Sequence, residues 1–121
     1  MASRAQLKII NDLVKIEGMV VTEYQLISDF GYVIYLKSRA VEVACPNCSC
    51  LTDKLHQNHW LTIRDLPLSE YAVYLKINRR QMKCVKCGHK FSEEFEFVKK
   101  KSHFTNRIKR KIVEEILSSD I

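Results

Sequence analysis

The chain has 121 residues, of which 46% are hydrophobic and 28% are charged, and its formal net charge is +6. This length suits one compact domain and is too short for two independent cores. With only 3 Gly and 2 Pro, the composition excludes collagen-like and low-complexity chains. The longest apolar runs fall far short of the roughly 20 residues that a membrane-spanning helix needs. The N-terminus lacks the features of a secretory signal, so the sequence predicts a cytoplasmic protein with no membrane partner.

The positive charge is concentrated in one stretch of the chain. Between Lys76 and Lys111, 13 Lys and Arg stand against 3 Glu, a local charge of +10 compared with −4 for the rest. Such a concentration favours binding to a polyanion, because each phosphate that is neutralised releases condensed counterions. The alternative is a solvated basic surface that only keeps the protein in solution.

Residues 1–40 are predicted to form a helix followed by a β-hairpin. Apolar residues at helical spacing indicate a short amphipathic helix over 5–14, which ends near Gly18. The runs 19–27 and 32–37 are rich in β-branched and aromatic residues, and turn-forming residues separate them. This pattern is typical of a hairpin.

Residues 41–98 are predicted to form a small zinc-ribbon-like domain. A short strand-like run at 41–44 leads into the first of the cysteines discussed below. Two further runs, 60–66 and 71–78, are joined by a turn with Pro and Ser. Alternating Phe residues predict another strand over 91–98.

A basic linker and a helix are predicted for residues 99–121. Over 105–117, apolar residues fall on one side of a helix and basic residues elsewhere, and Thr105 is expected to be its N-cap. The fold class expected for the whole chain is therefore α+β. It is a small β-rich zinc-ribbon-like domain with a short N-terminal helix and a C-terminal basic helix.

The strongest chemical signal is a pair of Cys-x-x-Cys knuckles. Two residues between ligands let both sulfurs of one tight turn face a single ion. Gly88 follows the second knuckle and suits a positive φ, whereas Ser49 stands at that place in the first. A closed four-thiolate site has no open position for water, so the metal is expected to be one structural zinc ion. The expected ligands are Cys45, Cys48, Cys84 and Cys87.

Other interpretations of the cysteines and histidines stay open. The knuckles would also fit redox dithiols or structural disulfides, although a reducing compartment disfavours disulfides. Cys50 is expected to be a free or packed thiol, with ligand exchange as the alternative. His56 and His59 are expected to be polar loop residues or phosphate contacts rather than ligands of a second metal.

The acidic residues do not indicate an enzyme. Metal-dependent nucleic-acid chemistry needs carboxylates that converge on one or two divalent ions, and no motif here brings three acids together. The sequence also contains no Gly-rich phosphate-binding loop and no nucleophile motif with a known local signature. A non-catalytic protein is therefore predicted.

Several blocks of sequence together resemble a known family. They are Cys-Pro-Asn-Cys at 45–48 and the segments 60–68, 75–84, 87–93 and 105–107. In this order and spacing they resemble the N-terminal zinc-finger region of insertion-sequence transposases of the ISL-three group, over roughly residues 10 to 117.

The resemblance implies the same four cysteine ligands and a zinc finger followed by a helix-turn-helix and a ribonuclease-H-like domain with three catalytic acids. Because the sequence stops at Ile121, near the first helix of that helix-turn-helix, it implies a truncated transposase frame without the catalytic domain.

The function expected from the residues and the resemblance is a zinc-stabilised DNA-binding module of a transposase. It would bind the terminal inverted repeats of an insertion sequence as duplex DNA, without catalysis of its own, in the nucleoid. Self-association or a full-length transposase are the further partners expected. Two alternatives remain, a zinc-ribbon module that binds proteins and an inactive transposase remnant.

Basic residues on the strand that enters the second knuckle, within the knuckle and after it are the expected DNA contacts: Arg79, Arg80, Lys83, Lys86, Lys90, Lys99, Lys100, Lys101, Arg107, Lys109, Arg110 and Lys111. Base reading is assigned to Arg79, Arg80, Arg107 and Arg110, because a guanidinium fork matches the two acceptors of guanine. Replacing the first two by Ala is expected to weaken binding without unfolding the protein. Trp60, Tyr71, Tyr74 and Phe91 are expected in the core rather than stacked on bases.

Overall fold

The computed structural model describes residues 3–99 and 101–118. They form two helices and seven strands in this chain order: α1 Arg4–Val14, β1 Met19–Ile27, β2 Gly31–Ser38, β3 Val43–Ala44, β4 Leu51–Thr52, β5 Leu55–Leu68, β6 Tyr71–Lys83, β7 Lys90–Ser92 and α2 Asn106–Ser118. The β-rich α+β fold with a short N-terminal and a C-terminal helix is thus confirmed. Lys100 and residues 119–121 of the predicted C-terminal segment lie outside the described residues.

The main sheet has the strand order β1-β2-β6-β5, and β7 adds to the far end of β6. Strand β2 runs parallel to β6, while the pairs β1/β2, β5/β6 and β6/β7 are antiparallel. The N-terminal hairpin and the long β5–β6 hairpin therefore belong to one sheet.

One face of this sheet carries the main core. Successive strand residues point to opposite faces, so Val73, Leu75 and Ile77 of β6 lie on the same face and are all buried. Helix α1 and the segment after β7 cover this face. The buried cluster consists of Val14, Met19, Val21, Ile34, Leu36, Ile63, Val73, Leu75, Ile77 and Val98.

Both helices begin as their sequences indicate. In α1, Ser3 and Gln6 form a reciprocal capping box, which satisfies backbone N–H groups at the helix start. In α2, the hydroxyl of Thr105 accepts the N–H of Ile108 at 3.3 Å. The predicted N-cap is thus confirmed.

Two strand predictions were inaccurate. Strands β5 and β6 continue through residues 55–59 and 79–83, where polar side chains on both faces hide the alternation that would mark a strand. The strand predicted over 91–98 ends at Ser92. Beyond it, Phe95 and Phe97 stack on each other at 5.5 Å and pack against the main core, so their spacing reflects a packed loop.

Candidate metal centre and basic surface

The two knuckles have closely similar backbone turns. In the first, the N–H of Ser49 donates to the carbonyl of Cys45 at 2.7 Å. In the second, the N–H of Gly88 donates to the carbonyl of Cys84 at 3.0 Å. Ser49 and Gly88 both have positive φ angles, 64° and 75°. The departure from glycine in the first knuckle therefore does not change the turn, although serine tolerates this conformation less well.

Short strands hold each knuckle in place. The first lies between β3 and β4, which pair through Ala44 and Leu51, and the second between β6 and β7, which pair through Lys83 and Lys90. The hydroxyl of Thr52 donates to the carbonyl of Lys83 at 2.7 Å. This bond ties the two knuckles together across 31 residues of sequence.

The four predicted ligands meet at one point. Their sulfurs all lie within 4.8 Å of one another, with Cys45 and Cys87 at 3.7 Å and Cys48 and Cys84 at 3.4 Å. A zinc tetrahedron with bonds of about 2.3 Å separates its sulfurs by about 3.8 Å. The donor set and its dimensions therefore fit one structural zinc ion, as the sequence predicted.

Backbone donors distinguish the thiols. The N–H of Cys87 and then that of Lys86 point at the sulfur of Cys84 and lower its pKa to about 6, although burial opposes them. At Cys48, the backbone N–H of Cys50 lowers the pKa, but contact with Cys84, burial and the other two thiols outweigh it and raise the pKa to about 12. Zinc binding at neutral pH must therefore displace a proton from this cluster.

The remaining sequence candidates lie outside the cluster. The thiol of Cys50 points to the carbonyl of Leu51 at 3.8 Å, and Cys50 is not among the four grouped cysteines. His56 and His59 are exposed on β5. Among the described residues, neither histidine joins a group of three or more candidate metal ligands.

Arg79 and Arg80, predicted to read bases, both make hydrogen bonds within the polypeptide. Nε of Arg79 donates to the carbonyl of Glu93 at 2.6 Å. Arg80 forms a bidentate ion pair with the buried carboxylate of Glu93, at 2.8 and 3.0 Å, and also donates to the carbonyl of Ala40 at 2.7 Å. The interaction with Glu93 raises the pKa of Arg80. The expectation that Ala at these positions leaves the fold intact is therefore replaced by an expected loss of stability.

Arg107 is also engaged within the protein. Its guanidinium forms a bidentate ion pair with buried Asp65 and donates to the carbonyl of Val14 at 2.7 Å. The hydroxyl of Thr105 adds a third bond to Asp65, at 2.8 Å. Burial would raise the pKa of Asp65, but the bonds from Arg107 and Thr105 lower it overall. This cluster joins α2, β5 and the end of α1.

The lysines, in contrast, are mostly on the surface. Those predicted as DNA contacts and found exposed are Lys83, Lys86, Lys90, Lys99, Lys101 and Lys111, together with Arg110. Lys109 is half-buried, and Lys111 lies 4.0 Å from Glu115 across one turn of α2.

Lys54 was missed by sequence reasoning. It stands just before β5, outside the basic stretch. The N–H of Lys83 donates to its carbonyl at 2.9 Å, and Lys54, Lys83 and Lys86 are among the residues that line one groove of about 490 Å³ together with His56. Only the register of the β5–β6 hairpin reveals this neighbourhood.

The prediction for the aromatic residues was wrong in part. Phe91 is buried beneath the knuckles with Met82, Cys45 and Cys84, as expected. Trp60 and Tyr71, however, are 53% and 47% exposed. Both belong to strands, but neither ring is enclosed by the core.

Comparisons with known proteins agree with the metal centre. Residues 42–87 match the family described as the zinc-finger of transposase IS204/IS1001/IS1096/IS1165. The chain is also 30% identical over 88 residues to the transposase for insertion sequence element IS1001 from Bordetella parapertussis. That alignment covers 73% of this chain but only 22% of the Bordetella protein.

No solved structure matches the chain significantly. Within the part of the chain that the structure describes, neither helix has the length and apolar character needed to cross a membrane.

Proposed function

Because residues 42–87 match the zinc-finger family of the IS204/IS1001/IS1096/IS1165 transposases, we propose that this chain is a zinc-stabilised DNA-binding module of a transposase. Its target is the duplex of the terminal inverted repeats of an insertion sequence. It acts at the nucleoid, its described residues bind DNA without catalysing cutting or joining, and a full-length transposase or a second copy of the chain is its further partner.

The observation that carries this proposal is the lysine groove beside the zinc centre, defined by Lys54, Lys83 and Lys86 with His56. Three lysine residues around one groove suit a phosphate backbone, whose neutralisation releases counterions. Lysines make compact, mobile contacts that position a protein on DNA without reading the sequence.

The zinc centre would fix this groove. Lys83 directly precedes the ligand Cys84, and Lys86 lies between the ligands Cys84 and Cys87. Their backbone positions are therefore set by the knuckle turn. Loss of zinc is expected to release the lysines from their common groove and to weaken DNA binding by that route.

In this proposal, helix α2 recognises the DNA sequence. Arg110 is exposed near the middle of this helix, whereas three of the four arginines expected to read bases have intramolecular partners. Arg110 is therefore the arginine we assign to base contacts in a groove.

The test is binding of the zinc-loaded protein to a duplex with the terminal repeat of the element and to a scrambled duplex, across a salt series. Replacing Lys83 and Lys86 together by Gln should reduce the slope of log affinity against log salt by about 2, one for each phosphate contact. The matched control replaces Arg4 and Lys8, two exposed cations on α1, and should leave the slope unchanged. Equal slopes for all three proteins would refute the groove as a DNA-binding surface.

A protein-interaction role is the second candidate, and one observation favours it. Helix α2 exposes an apolar group made of Ile112, Val113, Ile116 and Leu117. Exposed apolar patches of this kind mark protein contacts. Association through this side would depend weakly on salt, unlike phosphate binding, so the same salt series separates the two functions. An inactive remnant would bind both duplexes weakly and alike.

A further inference from the structure

The sheet has a second face that the helices leave open. On β2 and β6, residues alternate between the two faces, and Tyr35 pairs with Lys76 while Val33 pairs with Tyr74. Strand β5 continues these rows across the sheet. We call this surface the open face, and its residues on β2, β6 and β5 are Val33, Tyr35, Lys37, Tyr74, Lys76, Asn78, Trp60, Thr62 and Arg64.

Aromatic rings occupy both ends of the open face. Phe30, in the turn before β2, stacks on Tyr74 with ring centres 4.5 Å apart and planes 16° apart. At the other end, Tyr35 meets Trp60 edge to face at 6.5 Å. Phe30 and Trp60 are 49% and 53% exposed, so each offers an aromatic surface to solvent.

Cations lie among these rings. The guanidinium carbon of Arg64 is 5.2 Å from the centre of the Tyr74 ring, and Lys76 stands between Tyr35 and Thr62 in its row. Lys37 is exposed at the edge of the face. On the neighbouring strand β1, Glu23 pairs with Tyr35, and its carboxylate accepts the N–H of Tyr24 at 3.1 Å. The face therefore has an excess of positive charge.

Polar atoms without intramolecular partners lie on the same face. Nε of Arg64 and Oδ1 of Asn78 are buried and make no hydrogen bond within the described part of the protein. A buried donor or acceptor without a partner is costly. The open face thus combines exposed rings, cations and unused hydrogen-bonding atoms.

We propose that the open face binds single-stranded DNA. Bases stack on Phe30 and Trp60, while Lys37 and Lys76 contact the phosphates. Unpaired bases offer flat surfaces that a duplex keeps inside its own stack, and aromatic platforms with a basic surround are the usual way to bind them. This inference rests on the DNA-binding role proposed above, but it uses a different set of residues from the lysine groove.

The chain provides its own probe for the test. Trp60 is its only tryptophan, so quenching of intrinsic fluorescence reports on the open face alone. The zinc-loaded protein is titrated at fixed salt with a 15-nucleotide oligothymidine and with an abasic 15-mer that has the same number of phosphates. Stacking predicts quenching and tight binding by oligothymidine, with much weaker binding by the abasic strand.

Variants distinguish the contribution of the aromatic rings to single-strand binding from the contribution of the overall positive charge. Trp60→Ala and Phe30→Ala should each weaken oligothymidine binding, measured by anisotropy of a labelled strand, by roughly 5- to 150-fold, the range for loss of one base–aromatic stack. The matched control is Tyr71→Ala, which removes another exposed ring, one that contacts Tyr32 on the core side of the sheet. It should leave binding within about twofold of the original protein, as expected for a surface residue away from the contact.

The outcomes distinguish this inference from the proposed function. Loss of oligothymidine binding in the Trp60 variant, with duplex binding intact, supports both. Oligothymidine binding without any duplex binding supports the open face and refutes the proposed function. Equal binding of the abasic strand, equal losses in the Trp60 and Tyr71 variants, or no binding of single strands would overturn the inference.

Discussion

Different interactions stabilise the two ends of this protein. At the sheet end, ten buried apolar residues pack between the sheet, α1 and the segment after β7. At the knuckle end, the buried cluster contains Met82, Phe91 and the two ligands Cys45 and Cys84. Burial at about 25 cal/mol per Å² of apolar surface stabilises the first, whereas the second buries few apolar residues and is expected to depend on bound zinc.

This difference suggests a division of roles. A cluster that depends on zinc can present exposed lysines on tight turns, because the metal replaces the core that would otherwise be needed. The sheet end, held by packing, is expected to keep its fold without the metal. Removing zinc should therefore unfold the knuckle end and leave the sheet end folded, rather than unfold the whole protein.

Substitution of a ligand has the largest expected effect. Cys84→Ser should abolish zinc binding, which is worth about 10 to 16 kcal/mol in isolated zinc-finger peptides, and should open residues 43–52 and 83–92. Zinc per chain by mass spectrometry and hydrogen exchange of individual amides measure both effects. Cys50→Ser is the matched control, because Cys50 is outside the cluster, and it should retain one zinc. If β1 and β2 exchanged as fast as the knuckles, the two ends would not be independent.

A substitution that creates a cavity in the sheet core tests how far packing stabilises the sheet end. Leu75 is fully buried, and Leu75→Ala should reduce the free energy of unfolding by about 2 to 5 kcal/mol. The folded variant should still bind one zinc ion, since the predicted ligands lie in the turn after β6 and in the turn between β3 and β4. Chemical denaturation and zinc analysis give the two values.

Val85→Ala serves as the control for that cavity. Val85 is exposed within the second knuckle, and its truncation should change the unfolding free energy by less than about 0.5 kcal/mol. A Leu75 variant that lost zinc while still folded would show that the core and the metal centre are coupled.

The ion pair between Asp65 and Arg107 connects α2 to the sheet end. Asp65→Ala should cost about 2 to 3 kcal/mol, less than a fully buried pair, because Arg107 is 31% exposed. The pKa of Asp65 is lowered below its ordinary 3.8. Its stabilising effect is therefore complete above pH 3.8 and is lost as the pH falls through the lower value in the folded protein.

Thermal unfolding of the original protein and the Asp65 variant from pH 7 to pH 2 measures this effect. The difference between them should shrink only at the acid end of the range. Glu115→Ala is the control, because its pair with Lys111 is exposed and such pairs contribute at most about 1 kcal/mol. A difference that already disappeared near pH 6 would contradict the assignment to Asp65.

The sequence predicted the parts of the fold that depend on short-range patterns. The Cys-x-x-Cys spacing located all four candidate zinc ligands, and the cap at Thr105 follows from its position before an apolar helix. The ion pair between Arg80 and Glu93 could not be predicted. Glu93 directly follows β7, and only the pairing of β7 with β6 brings it close to Arg80. Exposure of Trp60 was missed for a similar reason, since alternation shows that a strand has two faces but not which face is covered.

The smallest expected effects distinguish structural cations from binding cations. Arg80→Ala should lower the unfolding free energy by about 1 to 2 kcal/mol, because it leaves the buried carboxylate of Glu93 without its charged partner. Lys86→Ala should change stability by less than about 0.5 kcal/mol, yet it should reduce the salt slope of duplex binding by about 1. Denaturant unfolding of the two variants measures the change in stability, and fluorescence anisotropy with a labelled duplex measures the change in salt slope. A stable Arg80 variant with weakened DNA binding would instead show that this arginine contacts DNA, as its sequence position predicted.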